Sequence, residues 1–515
     1  MKTRILLLSV AIIFVFGIAG GVYWWSSRPQ VITFGDGSKL TLLGADYGKR
    51  HAVPGHKLPP APPSTGAATG AAARRGGSSS FTTPGDTLVV WVRTKYDKAP
   101  NQPNQPNQPT YGFLTSQSHN FQFYVYDKAG TACVYGSSRN MSATQRGDDI
   151  LAIQFDSFPR REGKLYMRAQ ESGSGGQEMA DEKFVVSNPA AKKSFEKWTP
   201  EPLPATTKAD DLSVTLTKLV AGAPMPYQRN QDDPDDAMNK GVQVAYQVER
   251  AGKHVTNWLP VSVETTDATG NRTAINYGPN GNQVQWNGDE GTFTYQYGLW
   301  PDEPAWKLRM EMTQTSDFSS DEQWTAQNIP VVLGSQQSFN GIIGGRGGVV
   351  GARGRGAPPG GGNLADAPTP CAEADLGGHH IKVFPAVQFT NGPVRPANLP
   401  PNAVFNQPQQ TGLMIQIQPA VMNAVMRPMN APNGTQTTDD GTRLTLAKVT
   451  DGQGGEFTSM GSGWSSSGMG GPNSTSTLRF MLRDIASVTN INATIALHKN
   501  RFFEFTVKPE KAAAQ

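Results

Sequence analysis

The chain has 515 residues, of which 17% are charged, and a formal net charge of +4. That charged fraction lies well below the roughly 25% of an average soluble protein. Both signs are dispersed, so there is no clustered basic face and no electrostatic case for nucleic acid as a partner.

From the N-terminus, Ile5 to Trp25 form 21 residues without a charge, preceded by Lys2 and Arg4 and closed by Tyr23, Trp24 and Trp25. A helix of that length spans roughly 31 Å, about the hydrocarbon thickness of a bilayer. Basic residues on one side and interfacial aromatics on the other predict a signal anchor over residues 1–28. The N-terminus would be cytoplasmic, the bulk extracytoplasmic, and residues 5–25 the membrane contact. The rival reading is a cleaved leader with Gly17 and Ala19 before the cut, giving a secreted chain. The apolar run continues past Ala19 into the Trp pair, which favours the retained span.

Residues 29–188 predict a first β-sandwich unit, 211–333 a second and 379–515 a third. The opening Asp36-Gly-Ser-Lys-Leu-Thr-Leu42 recurs as Asp440-Gly-Thr-Arg-Leu-Thr-Leu446, with a weaker copy from Asp211 to Leu216. All three share Leu/Val-Thr-Leu, five residues, then Gly, at Leu40–Gly48, Val214–Gly222 and Leu444–Gly452. Each is followed by a strand-like run: Leu88–Arg93, Val242–Val248 and Leu478–Arg483. The first two units share more. A strand ends in Asp-x-x-Gly at Asp127–Gly130 and at Asp267–Gly270, and an aromatic-Pro pair follows at Phe158-Pro159 and Trp300-Pro301. Apolar residues alternate at a period of two, as in Phe121, Phe123 and Val125, and Asp and Gly supply turn geometry between the runs. The pattern predicts a mainly β chain: an N-terminal transmembrane helix, then tandem Ig-like antiparallel sandwiches joined by disordered linkers. At fold level it resembles Ig-like modules of bacterial envelope proteins, and a fold does not give a function.

Composition marks the connections. Residues 54–80 are rich in Pro, Ala and Gly, 101–109 repeat Asn-Gln-Pro, 189–210 form a Pro- and Lys-containing linker, and 334–378 form a Gly/Arg/Pro-rich linker. Such tracts bury too little apolar surface to offset their ordering entropy. The two cysteines, Cys133 and Cys371, fall in different units and are expected as free thiols.

Candidate chemistry is sparse. Asp232, Asp233, Asp235 and Asp236 lack the alternating spacing and central Gly of a calcium loop and read as a solvated loop. His379 and His380 follow Cys371, Glu373 and Asp375, but adjacent histidines point to opposite sides of a strand. Met422, Met426 and Met429 would suit Cu(I), although methionine is also the adaptable filler of irregular cores. Arg346, Arg353 and Arg355 suggest a solvated tether. No metal or cofactor is expected.

Five of the ten tryptophans, Trp258, Trp286, Trp300, Trp306 and Trp324, lie in the second unit. Sandwiches bury tryptophan between their sheets, so most belong to the core. Trp286, in a Gly/Asn-rich turn beside Asn287 and Asp289, is the candidate for stacking on a ligand such as a sugar ring. No G-x-S-x-G, H-E-x-x-H, P-loop or dinucleotide fingerprint occurs, and the seven histidines show no triad-like context. A carboxylate pair for glycoside hydrolysis leaves no local signature. The leading expectation is a non-enzymatic, membrane-anchored scaffold that engages envelope polymers or envelope proteins. The alternative is a surface carbohydrate-active enzyme or carbohydrate-binding protein.

Overall fold

Alternating apolar and polar residues, punctuated by turn-forming Asp and Gly, give strands along nearly the whole described chain. The computed structural model describes residues 29–35, 37–55, 80–95, 120–130, 132–143, 148–173, 176–180, 182–225, 240–276, 284–296, 298–334, 369–389, 410–419, 441–467, 475–483 and 488–512.

The expected anchor requires correction. Among the described residues the only helical element is a 3-10 turn at Ser320–Glu322, and no helix is long and apolar enough to cross a membrane. The run 5–25 itself lies outside the described residues. The single-pass localisation, the membrane contact, and the anchored scaffold on envelope polymers or proteins all rest on that span. They have no structural footing. Hydropathy records a transfer preference, and the same apolar run serves a spanning helix or a processed leader.

The first sandwich comprises β1 (Val31–Thr33), β2 (Lys39–Ala52), β3 (Ser80–Lys95), β4 (Asn120–Tyr126), β5 (Ala132–Ala143), β6 (Asp148–Phe155), β7 (Lys164–Gly173), β8 (Gly176–Met179) and β9 (Phe184–Ser187). One face is β1-β2-β3-β6 and the other β4-β7-β9, with β5 running from β4 to β6 and so joining the two. Leu88, Val90 and Ile153 from one face meet Phe123, Met167 and Phe184 from the other in one core.

The second sandwich begins with β10 (Ala205–Ala209), β11 (Leu212–Pro224), β12 (Lys240–Arg250), β13 (Lys253–His254), β14 (Trp258–Asp267), β15 (Arg272–Asn276), β16 (Gln285–Asn287), β17 (Glu290–Gln296) and β18 (Trp306–Gln314). Its sheets have the order β10-β11-β12-β17-β16 and β15-β14-β18. Strand for strand, β2-β3-β6 corresponds to β11-β12-β17, and β5-β4-β7 to β15-β14-β18. The paired Asp-x-x-Gly and aromatic-Pro segments therefore occupy equivalent positions.

The remaining strands are β19 (Gln323–Gly334), β20 (Ala372–Leu376), β21 (His379–Val383), β22 (Ala386–Phe389), β23 (Gln410–Gln418), β24 (Thr442–Asp451), β25 (Thr458–Ser467), β26 (Thr475–Arg483), β27 (Asn490–Lys499), β28 (Arg501–Val507) and β29 (Glu510–Lys511). Strands β19 to β27 enclose a third core built on Ile329, Ile415 and Ile495. The chain then returns. Strand β28 pairs with β18 from Trp306↔Val507 to Met312↔Arg501, and β29 pairs in parallel with β11. In the first sandwich the equivalent closing strand, β9, follows β7 after only the short β8. In the second it arrives only after the whole third unit. The expected tandem order is thus replaced by a nested one, with the third unit inserted between β18 and β28 of the second.

A buried ion pair marks the return. Glu311 on β18 accepts from Arg443 Nη2 on β24 at 3.0 Å and from Asn500 Nδ2, immediately before β28. All three are under 10% exposed. The tract 189–210, expected as a disordered linker, contains β10, and Glu201 N donates to Thr506 O at 2.7 Å. The described part of 334–378 contains β20, while 335–368 and the tracts 56–79 and 96–119 lie outside the described residues.

The three Leu/Val-Thr-Leu frames share a local structure. Each strand breaks register directly after its last Leu, between Leu42 and Gly44, Leu216 and Lys218, and Leu446 and Lys448. One extra residue there bends the strand. The third copy nevertheless has a different place in its sheet, because β24 pairs β27 while the Leu478–Arg483 run pairs β23 and β25.

Candidate functional site

The motifs shared by the first two units build the contact between them. Each Asp-x-x-Gly turn closes by a backbone bond, Gly130 N to Asp127 O and Gly270 N to Asp267 O, both 3.1 Å. The glycines sit at φ of +82° and +89°, where a side chain would be strained. Asp267 organises its turn by accepting from Thr269 N at 2.8 Å, Thr269 Oγ1 at 2.6 Å and Asn271 Nδ2 at 2.8 Å. Asn271 then reaches the first unit: its Oδ1 accepts from Phe158 N at 3.1 Å and its Nδ2 donates to Phe158 O at 2.9 Å.

Arg160 fastens the joint. Its guanidinium donates to Asn271 Oδ1 (3.0 Å), Thr269 O (2.9 Å), Tyr47 OH (3.1 Å) and Asp156 O (2.9 Å). Arg161 Nε lies 3.0 Å from Glu303 Oε2 across the same boundary. Trp300, from the second unit, is buried in the core of the first. Replacing Arg160 with Met keeps the aliphatic stem and removes every donor, leaving buried acceptors unmatched. A loss of about 3 kcal/mol is expected. Calorimetry should show the two sandwiches, coupled in the wild type, separating into distinct transitions.

This joint brings together three carboxylates that sequence reasoning did not single out. Asp127 of the first Asp-x-x-Gly turn, Glu162 after Phe158-Pro159, and Asp302 after Trp300-Pro301 place oxygens within 4.8 Å of one another. Asp127 is buried, Glu162 half-buried and Asp302 exposed. Glu162 Oε2 accepts from Lys128 N at 3.0 Å. Asn188 Nδ2 holds the Glu162 loop by donating to Pro159 O at 3.0 Å and Glu162 O at 2.7 Å. Burial raises the pKa of the Glu162 carboxyl, reinforced by the neighbouring Asp127 and Asp302 charges. Glu303 is likewise raised, by burial first, against the pull of Arg161. Lys511 of β29 pairs with Asp302, and this bond raises the lysine pKa.

The shared motifs were visible in the sequence as turn signals. That Asp127, Glu162 and Asp302 converge was not, because one of them comes from the neighbouring unit. Three carboxylates offer oxygen ligands to a hard cation, fewer than the about six to eight that calcium takes, so hydroxyls or water would have to complete such a site.

The predicted stacking residues lie elsewhere. Trp286 is half-buried on β16, edge-on to Tyr246 with ring centroids 5.6 Å apart, while Asn287 at the end of β16 and Asp289 on the following turn are exposed. Gly291 opposite makes this possible: a Cβ there would lie 3.1 Å from the indole. Trp286 pairs with Gly291 at the start of β17, whereas none of the three carboxylates lies on that strand. Trp258, Trp300 and Trp306 are buried.

His379 Nδ1 contacts Pro419 O at 2.9 Å, and His380 contacts Asp375 and Glu373 at 2.8 and 3.0 Å. Both carboxylates raise the pKa of His380, Asp375 more strongly. Cys371 is an exposed free thiol, and the side chain of Cys133 lies outside the described residues. So do the acidic cluster 232–236, Arg346, Arg353 and Arg355, and Met422, Met426 and Met429. No protein-family model matches the chain, and no curated protein matches it.

Proposed function

We propose that the protein binds carbohydrate at the carboxylate-lined joint of its first two sandwiches, with Trp286, Asn287 and Asp289 as a separate stacking contact. The observation that carries this reading is the convergence of Asp127, Glu162 and Asp302 within 4.8 Å. Burial first, and then the neighbouring Asp127 and Asp302 charges, raise the pKa of Glu162, so holding all three carboxylates ionised carries a cost. Lys511 offsets part of it. A polyhydroxyl ligand offsets more, since each sugar hydroxyl can donate to a carboxylate, directly or while sharing a divalent cation with it.

Retaining glycosidases use two carboxyl groups only about 5–5.5 Å apart, and this cluster holds its carboxylate oxygens within 4.8 Å of one another. A glutamate kept protonated to higher pH is suited to donate a proton to a leaving oxygen. This supports hydrolysis as the second reading of the same site. A glycan array on the full chain, run with calcium and with chelator, tests both, with hydrolysis followed on each glycan that binds. Glu162→Gln and Asp302→Asn are each expected to weaken binding at least about tenfold, close to 1.4 kcal/mol. Trp286→Ala should weaken only ligands long enough to reach its hairpin. Binding by neither the wild type nor the calcium-loaded chain would remove this reading.

A further inference from the structure

We propose that Asp46, His51 and Thr83 of the first sandwich form a nucleophilic relay that takes an acyl group from activated carboxylic esters onto the Thr83 hydroxyl. The site stands apart from the carboxylate joint and does not depend on it. Asp46 and His51 lie five residues apart on β2, a spacing that sends side chains to opposite faces of a regular strand. The register shift between Gly48 and Arg50 resets that alternation and brings both to one face. On β3, Thr82 pairs with Arg50 and Thr87 with Gly48, so Thr83 to Asp86 bulge out of the ladder and carry the Thr83 hydroxyl over the imidazole.

The contacts follow the order nucleophile, base, orienting acid. Asp46 Oδ2 accepts from Trp91 Nε1 at 2.9 Å, and Oδ1 of the same carboxylate bonds His51 Nδ1. This fixes the ring with Nε2 towards Thr83 Oγ1, 3.3 Å away. His51 is fully buried, stacked on Phe81 at 5.2 Å between centroids, whereas Thr83 is partly exposed. At rest Thr83 Oγ1 donates to Gly85 O at 2.8 Å.

In the reaction, the Thr83 hydroxyl turns from Gly85 O to His51 Nε2 and Oγ1 attacks the acyl carbon. The proton passes to Nε2, the bond from acyl carbon to leaving oxygen breaks, and the leaving alkoxide takes the proton from Nε2. Thr83 and His51 touch the reacting atoms, while Asp46 and Trp91 are positioning residues.

The test is to treat the full chain with p-nitrophenyl acetate and locate acetyl groups by mass spectrometry of the digested protein. The expected result is acetyl on Thr83, absent in Thr83→Val and slowed at least about 100-fold in His51→Gln. Asp46→Asn should slow it as well, with partial recovery in Asp46→Glu, a rescue that a purely structural carboxylate would not give. Should His51→Gln fail to fold, Thr83→Ser serves in its place, because a less hindered hydroxyl in the same relay should acetylate faster than the wild type. No acetyl on Thr83 in the wild type, or the same rate in a folded His51→Gln, would overturn the proposal.

Discussion

Deleting residues 501–515 is expected to unfold the second sandwich, although the deletion lies beyond the third unit in the chain. Strand β28 places Phe503, Phe505 and Val507 in the core of the second sandwich, each no more than 1% exposed. Losing one buried Phe side chain costs about 3–5 kcal/mol, and a domain is stable by only about 5–15 kcal/mol. Near-UV circular dichroism should lose the signal of Trp258 and Trp306, and a peptide spanning 498–512 added in trans should restore it. A truncated chain with an undiminished melting enthalpy would contradict the nested order. The same pairing predicts that proteolysis at Arg346, Arg353 or Arg355 leaves two fragments that co-elute. The piece before the cut holds β18, the piece after it holds β28, and β19 and β27 pair across the cut as well. Independent release of the pieces, the outcome expected from the tract's composition alone, would require those ladders to break.

Stability should also fall by about 3 kcal/mol as pH drops from 6.5 to 4, through His498. Burial lowers the pKa of this imidazole from the usual 6.5 to about 4, with Arg443 and Arg501 adding to the effect and Glu322 opposing it. Its ring lies 4.9 Å from Phe318 and its Nε2 3.0 Å from Thr445 Oγ1. A depressed folded-state value means that the unfolded chain takes up a proton in this window while the folded chain does not. The contribution is therefore intact above pH 6.5 and is lost as pH falls. Glu162 and Glu303, raised by burial, act with the opposite sign: their contribution is present at low pH and lost as pH rises through their folded values. His498→Gln isolates the histidine. Denaturant midpoints at pH 7 and pH 4.5 should differ less in this variant than in the wild type, and an unchanged difference would show that His498 is not responsible.

The strands can be read from the amino-acid order alone. Alternation such as Phe121, Phe123, Val125 is a property of neighbours two residues apart, and it needs no tertiary partner to be read. The correspondence of the first two units was equally local, since Asp-x-x-Gly and aromatic-Pro recur in step and come to equivalent strands. The frames Leu40–Gly48, Val214–Gly222 and Leu444–Gly452 even carried a shared bulge, although the third had a different fate in its sheet.

Which strands lie together depends on contacts between distant segments. Strand β28 reads as the end of a third unit because it follows that unit in the chain, yet its partner is Trp306–Met312, nearly 200 residues earlier. Pairing energy depends on the facing surface and not on sequence distance, beyond a loop-closure term that grows only slowly with length. The same holds for the sites. Asp302 reaches Asp127 and Glu162 from another sandwich, and Asp46 and His51 share a face only because a bulge reset the period of their strand. A carboxylate or an imidazole has no periodicity of its own. Its chemistry comes from what the folded chain sets within a few ångströms of it, which a linear spacing does not encode.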